Sequence, residues 1–149
     1  ENQVCIDLID KETREWNNHV DMSLWADLMI VAPATAKTIS KMVEGNCDNL
    51  LLATYLSSKC PVYIAPAMDR DMYQHPSTKE NIRKLKSYGH HIIPSPHGEL
   101  ASGLIGEGRM SEPEDILNYI IDDINKEKEL YGKKCLVTAG PTHESIDPV

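Results

Sequence analysis

Short apolar runs alternate with amphipathic segments along most of the chain. The runs end at a proline or a small residue, which is typical of strands buried on both faces of a parallel sheet. We predict such strands over residues 27–32, 61–65, 91–93 and 135–139. The chain therefore has the pattern of an α/β protein.

The segments between these runs carry apolar residues at helical spacing, which predicts helices over residues 37–44, 48–58, 77–88 and 113–130. In the second helix, Leu51 and Leu56 are expected in the core with their leucine neighbours. Gly45 is the expected C-cap of the first helix, and Ser77 with Glu80 forms a capping box at the start of the third.

Residues 94–110 hold four glycines and two prolines, and we predict a flexible loop there. Strands that alternate with helices indicate a doubly wound, Rossmann-like (flavodoxin-like) parallel sheet with helices on both faces.

The bulk composition narrows the class of protein. The chain has 149 residues, 41% of them hydrophobic and 26% charged, with a net charge of -8. This acidic balance argues against partners such as nucleic acid or an anionic membrane surface. No apolar run approaches the roughly 18 residues of a membrane-spanning helix, and no leader peptide is evident, so we predict a cytoplasmic protein. The four cysteines are widely spaced, and no metal site is predicted.

Two of the predicted strands end in small-residue, proline-bearing loops, at residues 32–36 and 65–67. The carboxyl ends of parallel strands meet at one edge of a sheet, so these loops predict a ligand crevice. His19, upstream, is a group that can move protons near neutral pH. The glycine-rich segment 98–110 suggests a flap that closes on a substrate, with Arg109 available to an anionic group.

Each of these features also has an ordinary structural explanation, and local sequence leaves both open. The segment after residue 32 is also typical of a βα turn, and His19 of a surface histidine or of one satisfied within a helix. Asp69 is also typical of a cap for the segment that follows it, and the glycine-rich segment of a disordered surface loop.

Taken together, the motifs resemble the flavin-containing cysteine decarboxylase family. Within it, they are most similar to the decarboxylase half of the bifunctional phosphopantothenoylcysteine decarboxylase/phosphopantothenate–cysteine ligases. The resemblance covers residues 13–149 and is carried by residues 19–21, 25–27, 32–36, 47–51, 66–68, 106–113 and 138–149.

The resemblance implies FMN-dependent decarboxylation of 4′-phospho-N-pantothenoylcysteine to 4′-phosphopantetheine, a step of coenzyme A biosynthesis. In that reaction the substrate thiol is oxidised to a thioaldehyde, the carboxylate leaves as CO₂, and the electrons are returned. The resemblance implies that His19 and Ser102 are catalytic. The residues that it places at FMN are Ala34, Thr35, Ala36, Lys37, Thr38 and Ala67, and those at the substrate are Asp69, Met72 and Arg109.

The resemblance also implies a domain organisation. Residues 1–125 correspond to the decarboxylase domain, without its N-terminal βα part. Residues 126–133 form a charged linker, and residues 134–149 open a ligase domain that uses CTP and Mg²⁺ to join cysteine to 4′-phosphopantothenate. Family members build their flavin sites between subunits, so a homo-oligomer is implied, either a trimer or a dodecamer.

The chain departs from the family pattern at three places. Asp69 replaces an asparagine, and its charge would oppose a substrate carboxylate by about 4 kcal/mol at about 4 Å for an effective dielectric of 20. It is therefore protonated, neutralised by a cation such as Arg109, or turned to the substrate's amide N–H, which we favour. Ser102 replaces a cysteine that protonates the intermediate, so Glu107 or water must do so. The family's first strand, phosphate loop and following helix have no counterpart, so we expect only part of an FMN site.

Two rival functions stay open. The substitutions at Asp69 and Ser102 allow a non-catalytic binding or regulatory protein on the same fold, although the retained His19 opposes it. A decarboxylase acting on the C-terminal cysteine of a peptide is the other, and the ligase-like residues 138–149 oppose that one.

Overall fold

The computed structural model describes residues 5, 7–10, 13–100 and 102–126. Its centre is a parallel sheet of strands β1 (Met29–Ala34), β2 (Val62–Pro66) and β3 (His91–Ile92), in that order across the sheet. A separate antiparallel hairpin consists of β4 (His97–Glu99) and β5 (Ile105–Glu107). The helices are α1 (His19–Trp25), α2 (Ala36–Glu44), α3 (Leu50–Ser57), α4 (Arg70–Gln74), α5 (Pro76–Ser87) and α6 (Pro113–Lys126).

The central sheet is covered on both faces by helices. One core joins Val31 and Ile64 of the sheet to buried residues of α2, α3 and α5, namely Ile39, Met42, Leu52, Tyr55, Ile82 and Leu85. The second core joins Tyr63 and Ala65 of β2 to α6. Successive residues of a strand point to opposite faces, so β2 contributes to both cores and is buried along its whole length. This arrangement confirms the predicted doubly wound α/β fold.

Strand β1 continues through the proline that was predicted to stop it. Its pairing with β2 runs regularly as far as Val31, then shifts register, and resumes where Ala34 lies opposite Pro66. Proline has no N–H to give to the ladder, and Pro33 lies within the shifted part. The strand therefore reaches two residues beyond its predicted end, and the N–H of Ala67 donates to the carbonyl of Ala34 at 2.9 Å.

The predicted cap at the end of α2 is confirmed, whereas the predicted cap at the start of α5 is wrong. Gly45 caps α2 in the left-handed conformation, at φ +69°, as predicted. The predicted capping box of α5 is wrong, because the helix begins at Pro76 and the Nδ1 atom of His75 accepts from the N–H of Ser77 at 3.2 Å. Glu80 forms an ion pair with Arg83 instead, at 2.6 Å. Proline suits a first helical position, since its missing N–H has no partner there.

The region predicted as a flexible loop contains the β4–β5 hairpin, in which Gly98 lies opposite Gly106. The hairpin approaches the end of β2 closely, and the N–H of Met68 donates to the carbonyl of Gly108 at 2.9 Å. Gly108 has a φ of +132°, and a Cβ atom there would lie 2.3 Å from the carbonyl oxygen of Met68. Only glycine permits this approach.

Apolar side chains are exposed on two neighbouring helices, α1 and α3. Helix α1 packs against α3, yet apolar side chains of both remain exposed, namely Val20, Leu24, Trp25, Leu51 and Leu56. The predicted burial of the last two is therefore wrong, since they are 40% and 48% exposed.

The C-terminal predictions fall mostly outside the described residues. Helix α6 runs to Lys126, the first residue of the predicted linker, and the predicted strand and ligase-like segment lie beyond it. Within the described part of the chain, no helix is both long enough and apolar enough to cross a membrane.

Candidate active site

A cleft of about 800 Å³ opens at the carboxyl edge of the sheet, where β1 and β2 end and the hairpin approaches them. Open α/β sheets bind ligands at this edge, and the volume suits a small molecule or cofactor. The residues that line it are Thr35, Ala36, Lys37, Ala67, Met68, Asp69, Met72, Glu99, Leu100, Gly108, Arg109 and Met110.

One wall of the cleft is the first turn of α2. Thr35 caps this helix, since its hydroxyl oxygen accepts from the N–H of Thr38 at 3.3 Å. The first turn of a helix leaves its N–H groups without intrahelical acceptors, so those of Ala36 and Lys37 are available to a ligand at the cleft. The positive end of the helix dipole favours a negative or electron-rich group at this wall.

The residues predicted to bind FMN divide into two groups. Thr35, Ala36, Lys37 and Ala67 line the cleft. Ala34 is fully buried in the core below the loop, and the hydroxyl of Thr38 lies 3.1 Å from that of Thr35. These two residues are therefore placed to support the loop.

The opposite wall contains Asp69, which is half-buried at the N-cap position of α4. Its carboxylate makes no capping hydrogen bond to that helix, so the interpretation of Asp69 as a cap is wrong. Instead, the hydroxyl of Ser102 donates to Asp69 Oδ1 at 2.6 Å, across 33 residues of sequence. Ser102 lies in the turn between β4 and β5, so the hairpin brings together two of the three departures from the family pattern.

Arg109 and Met72 complete the predicted substrate residues, and both line the cleft. The guanidinium of Arg109 pairs with Glu112, three residues along, and is about half exposed. Within the described residues, the side chain of Asp69 is bonded to Ser102 and not to Arg109. Exposed ion pairs contribute less than about 1 kcal/mol, so a ligand can recruit Arg109 at little cost.

His19 begins α1 and does not line this cleft. Its Nδ1 atom is buried and has no hydrogen-bond partner among the residues that the structure describes. Its ring meets that of Trp16 edge-on, with the centroids 5.9 Å apart. Buried polar atoms are nearly always hydrogen-bonded, so His19 does not fit the alternative of a histidine satisfied within its own helix.

Several residues of the cleft were not predicted from the sequence. Leu100 directly follows β4 and Met110 lies three residues beyond β5, and these strands are only three residues long, too short to show an alternating pattern. Met68 and Gly108 belong to the motifs at residues 66–68 and 106–113, but they were not predicted to line the cleft. The available signal was the close spacing of Gly106 and Gly108, which marks a close backbone approach.

Comparison with known proteins places this chain in a family. The family model described as Flavoprotein matches residues 1–125. The chain belongs to this family. The predicted membership is thereby confirmed, and the flavodoxin-like fold agrees with it.

Two curated relatives match nearly the whole chain. A cysteine/cysteine sulfinic acid decarboxylase from an unknown prokaryotic organism is 55% identical over 152 residues, which cover 99% of this chain and 42% of that protein. The coenzyme A biosynthesis bifunctional protein CoaBC of Bacillus subtilis (strain 168) is 43% identical over 149 residues, which cover 99% of this chain and 37% of that protein. The chain thus spans about two fifths of the length of these relatives.

Two solved structures share the fold. One is a PPC decarboxylase mutant complexed with pantothenoylaminoethenethiol, with a TM-score of 0.71 and 32% identity over 83% of this chain and 70% of that chain. The other is the FMN binding protein AtHal3, with a TM-score of 0.66 and 31% identity over 76% of this chain and 66% of that chain.

Proposed function

We propose that this chain is the flavin-binding part of an FMN-dependent decarboxylase that removes the carboxylate of a cysteine-type substrate. The observation that carries the proposal is the composition of the cleft. One wall of the cleft is the loop at the start of α2, which is predicted to contact a flavin. The other wall holds Asp69, Met72 and Arg109, which are predicted to contact a substrate. Residues far apart in sequence thus meet in one concave site of suitable size.

The cleft suits the flat ring system of FMN. Ala36 and Ala67 are small, so a ring can approach the backbone, and Leu100 and Met110 add apolar surface. Thr35 and the first N–H groups of α2 offer donors to the electron-rich edge of a flavin ring. These residues would hold the ring. Every described residue that we assign to the cofactor is assigned to its ring system.

When bound, FMN supplies the redox chemistry: two electrons leave the thiol-bearing carbon of the substrate and return after CO₂ has departed. The net reaction replaces the C–COO⁻ bond by a C–H bond, consumes one proton and releases CO₂. Asp69, Met72 and Arg109 hold the substrate in the cleft. The hydroxyl proton of Ser102 is engaged by Asp69, so the consumed proton comes from another donor.

Water is the better candidate for that proton than Glu107. Glu107 does not line the cleft, and its carboxylate accepts from the side-chain amide of Gln74 at 3.0 Å. Water reaches the cleft from solvent through the same opening as the substrate.

We propose that His19 handles the thiol proton in the cleft of a neighbouring copy of the chain. It lies outside the lining of its own cleft. The exposed apolar side chains beside it on α1, among them Leu24 and Trp25, are the kind of surface that subunits bury. A homo-oligomer, a trimer or a dodecamer, would supply the histidine in this way.

Two substrates are candidates for this reaction. The sequence resemblance and the CoaBC relative favour phosphopantothenoylcysteine. The relative that is 55% identical, a cysteine/cysteine sulfinic acid decarboxylase, favours free cysteine. A CTP- and Mg²⁺-dependent ligase activity of the full-length protein remains part of the proposal, and residues 134–149, from which it was predicted, lie outside the described residues.

The test is carboxylate release. The FMN-loaded full-length protein is incubated with phosphopantothenoylcysteine, cysteine or a peptide ending in cysteine, each labelled with ¹³C in the carboxyl group. We expect labelled CO₂ from one of the first two. Release from none of the three, with the flavin absorbance intact, would leave the non-catalytic binding protein as the better description. Release from the peptide alone would favour a peptidyl-cysteine decarboxylase.

A further inference from the structure

We propose that Asp69 and Ser102 form a site for the α-ammonium group of the substrate, so that the protein takes a free amino acid of the cysteine type in preference to an N-acylated one. This inference rests on the proposed decarboxylase function and narrows its substrate class. It assigns a specificity-determining role to the contact between the β4–β5 turn and the end of β2.

Of the pair, Asp69 lines the cleft, and its carboxylate presents acceptors and no donor to a ligand. Ser102 has one hydroxyl proton, and this proton is donated to Asp69 Oδ1 at 2.6 Å. Within the described part of the chain, Asp69 Oδ2 has no hydrogen-bond partner, and the carboxylate does not cap α4. A half-buried site with acceptors alone is completed by a ligand rich in donors, and an ammonium group offers three N–H donors where an amide offers one.

The negative charge of Asp69 also favours an ammonium group over an amide. Ser102 is neutral, and the neighbouring cation Arg109 is paired with Glu112, so no described side chain neutralises the carboxylate by direct contact. Hydrogen bonds between an ammonium and a carboxylate are about twice as strong as neutral ones. A neutral amide would displace water from the half-buried carboxylate without supplying a counter-charge, which is unfavourable.

The rest of the cleft accommodates the other end of an amino acid. Lys37 and Arg109 both line it, and either can attract a carboxylate while Asp69 holds the ammonium on the same carbon. An N-acyl group would remove this charge pattern, because it replaces the ammonium by an amide and adds a carbonyl oxygen that the carboxylate of Asp69 repels. The cleft is therefore matched to a zwitterion.

The first experiment compares kcat/KM for CO₂ release from cysteine and from N-acetylcysteine, using the FMN-loaded full-length protein. We expect a preference for cysteine of at least about tenfold, from the ammonium–carboxylate interaction. The Asp69→Asn variant keeps the shape and an acceptor for Ser102 but loses the charge. We expect its preference to fall to within about threefold, through loss of activity on cysteine. The Asp71→Asn variant removes a nearby exposed carboxylate that does not line the cleft, and should keep the wild-type preference.

A second measurement is independent of turnover. Calorimetric binding of S-methylcysteine and N-acetyl-S-methylcysteine, which lack the thiol, should show the same preference in wild type and its loss in Asp69→Asn.

The outcomes separate the two proposals. Equal or better use of N-acylated cysteine by the wild type, or an unchanged preference in Asp69→Asn, would overturn the ammonium site and leave the decarboxylase standing. An absence of CO₂ from every substrate would overturn the decarboxylase, and the binding measurement would then decide on the ammonium site alone.

Discussion

Ser102 and Asp69 are joined by a hydrogen bond of 2.6 Å that connects the turn of a hairpin to the segment after a central strand. Both positions were predicted to depart from the family pattern, and the contact joins them into a single feature. A hydroxyl is a stronger donor to a carboxylate than a thiol. Serine at position 102 is therefore well matched to aspartate at position 69.

We expect the Ser102→Cys variant to keep its turnover or to accelerate the final, reductive step, because a thiol is a better proton donor to a reaction intermediate than a serine hydroxyl. Stopped-flow recovery of the oxidised flavin spectrum measures that step. The Ser102→Ala variant, which has neither donor, is the matched control. If Ser102→Cys loses most of its product while Ser102→Ala does not, the acidity of the group at this position does not limit the reaction.

We expect the His19→Asn variant to lose CO₂ release by at least about a hundredfold, the usual contribution of a positioned acid or base. It should keep its bound flavin, because His19 does not line the cleft in its own chain. His97, exposed on β4 and absent from the cleft lining, provides the matched control His97→Asn. Wild-type turnover in the His19 variant would remove His19 from the mechanism.

We expect the Gly108→Ala variant to have a free energy of unfolding about 2–4 kcal/mol below that of the wild type, because its Cβ atom would collide with a backbone carbonyl. The collision is with Met68, and it would also break the 2.9 Å hydrogen bond between these residues. Gly103→Ala is the control, since Gly103 also has a positive φ, +80°, but nothing lies within 4 Å of its added Cβ. There only conformational strain of about 1 kcal/mol is expected. Urea unfolding measures both, and equal losses would contradict the collision.

A pH dependence of stability is expected from His90, on the side of the sheet away from the cleft. Burial, with a smaller contribution from His91, lowers the pKa of His90 below 6.5, and its Nε2 atom lies 2.7 Å from the hydroxyl of Tyr55. Between the lowered pKa and about 6.5 the unfolded chain binds more protons than the folded one, so stability rises with pH in that window and levels off above it.

The His90→Gln variant should flatten this dependence, measured as the melting temperature between about pH 5 and pH 7. The Tyr55→Phe variant is the control, because it removes the same hydrogen bond, at a cost of about 1 kcal/mol of stability, and keeps the titrating His90. A slope that persists unchanged in His90→Gln would assign the dependence to other groups.

The sequence predicted the central sheet because its strands are apolar on both faces, a pattern visible within a few residues. It also located one wall of the cleft, since a strand end, a threonine cap and a helix start are adjacent along the chain. The hairpin was missed because its strands are three residues long. Its contact with the end of β2 depends on a carbonyl and a glycine forty residues apart in sequence, Met68 and Gly108.

The partner of Asp69 was also beyond the reach of local sequence. Aspartate at a helix start is commonly a cap, whereas here the hydroxyl of a serine in a distant turn donates a hydrogen bond to the carboxylate. The position of His19 outside the cleft lining could not be derived from spacing either, because residues that are near each other in sequence need not line the same cleft.

The chain has two tryptophans, one in ring contact with His19 and the other at the end of α1. The Trp16 ring meets the imidazole edge-on, and Trp25, at the end of the same helix, is 85% exposed. Light that excites indole selectively therefore samples this one corner of the protein. Its emission is an intrinsic optical signal for any event that covers α1, and it can be followed in the unlabelled protein while copies are diluted, mixed or loaded with cofactor.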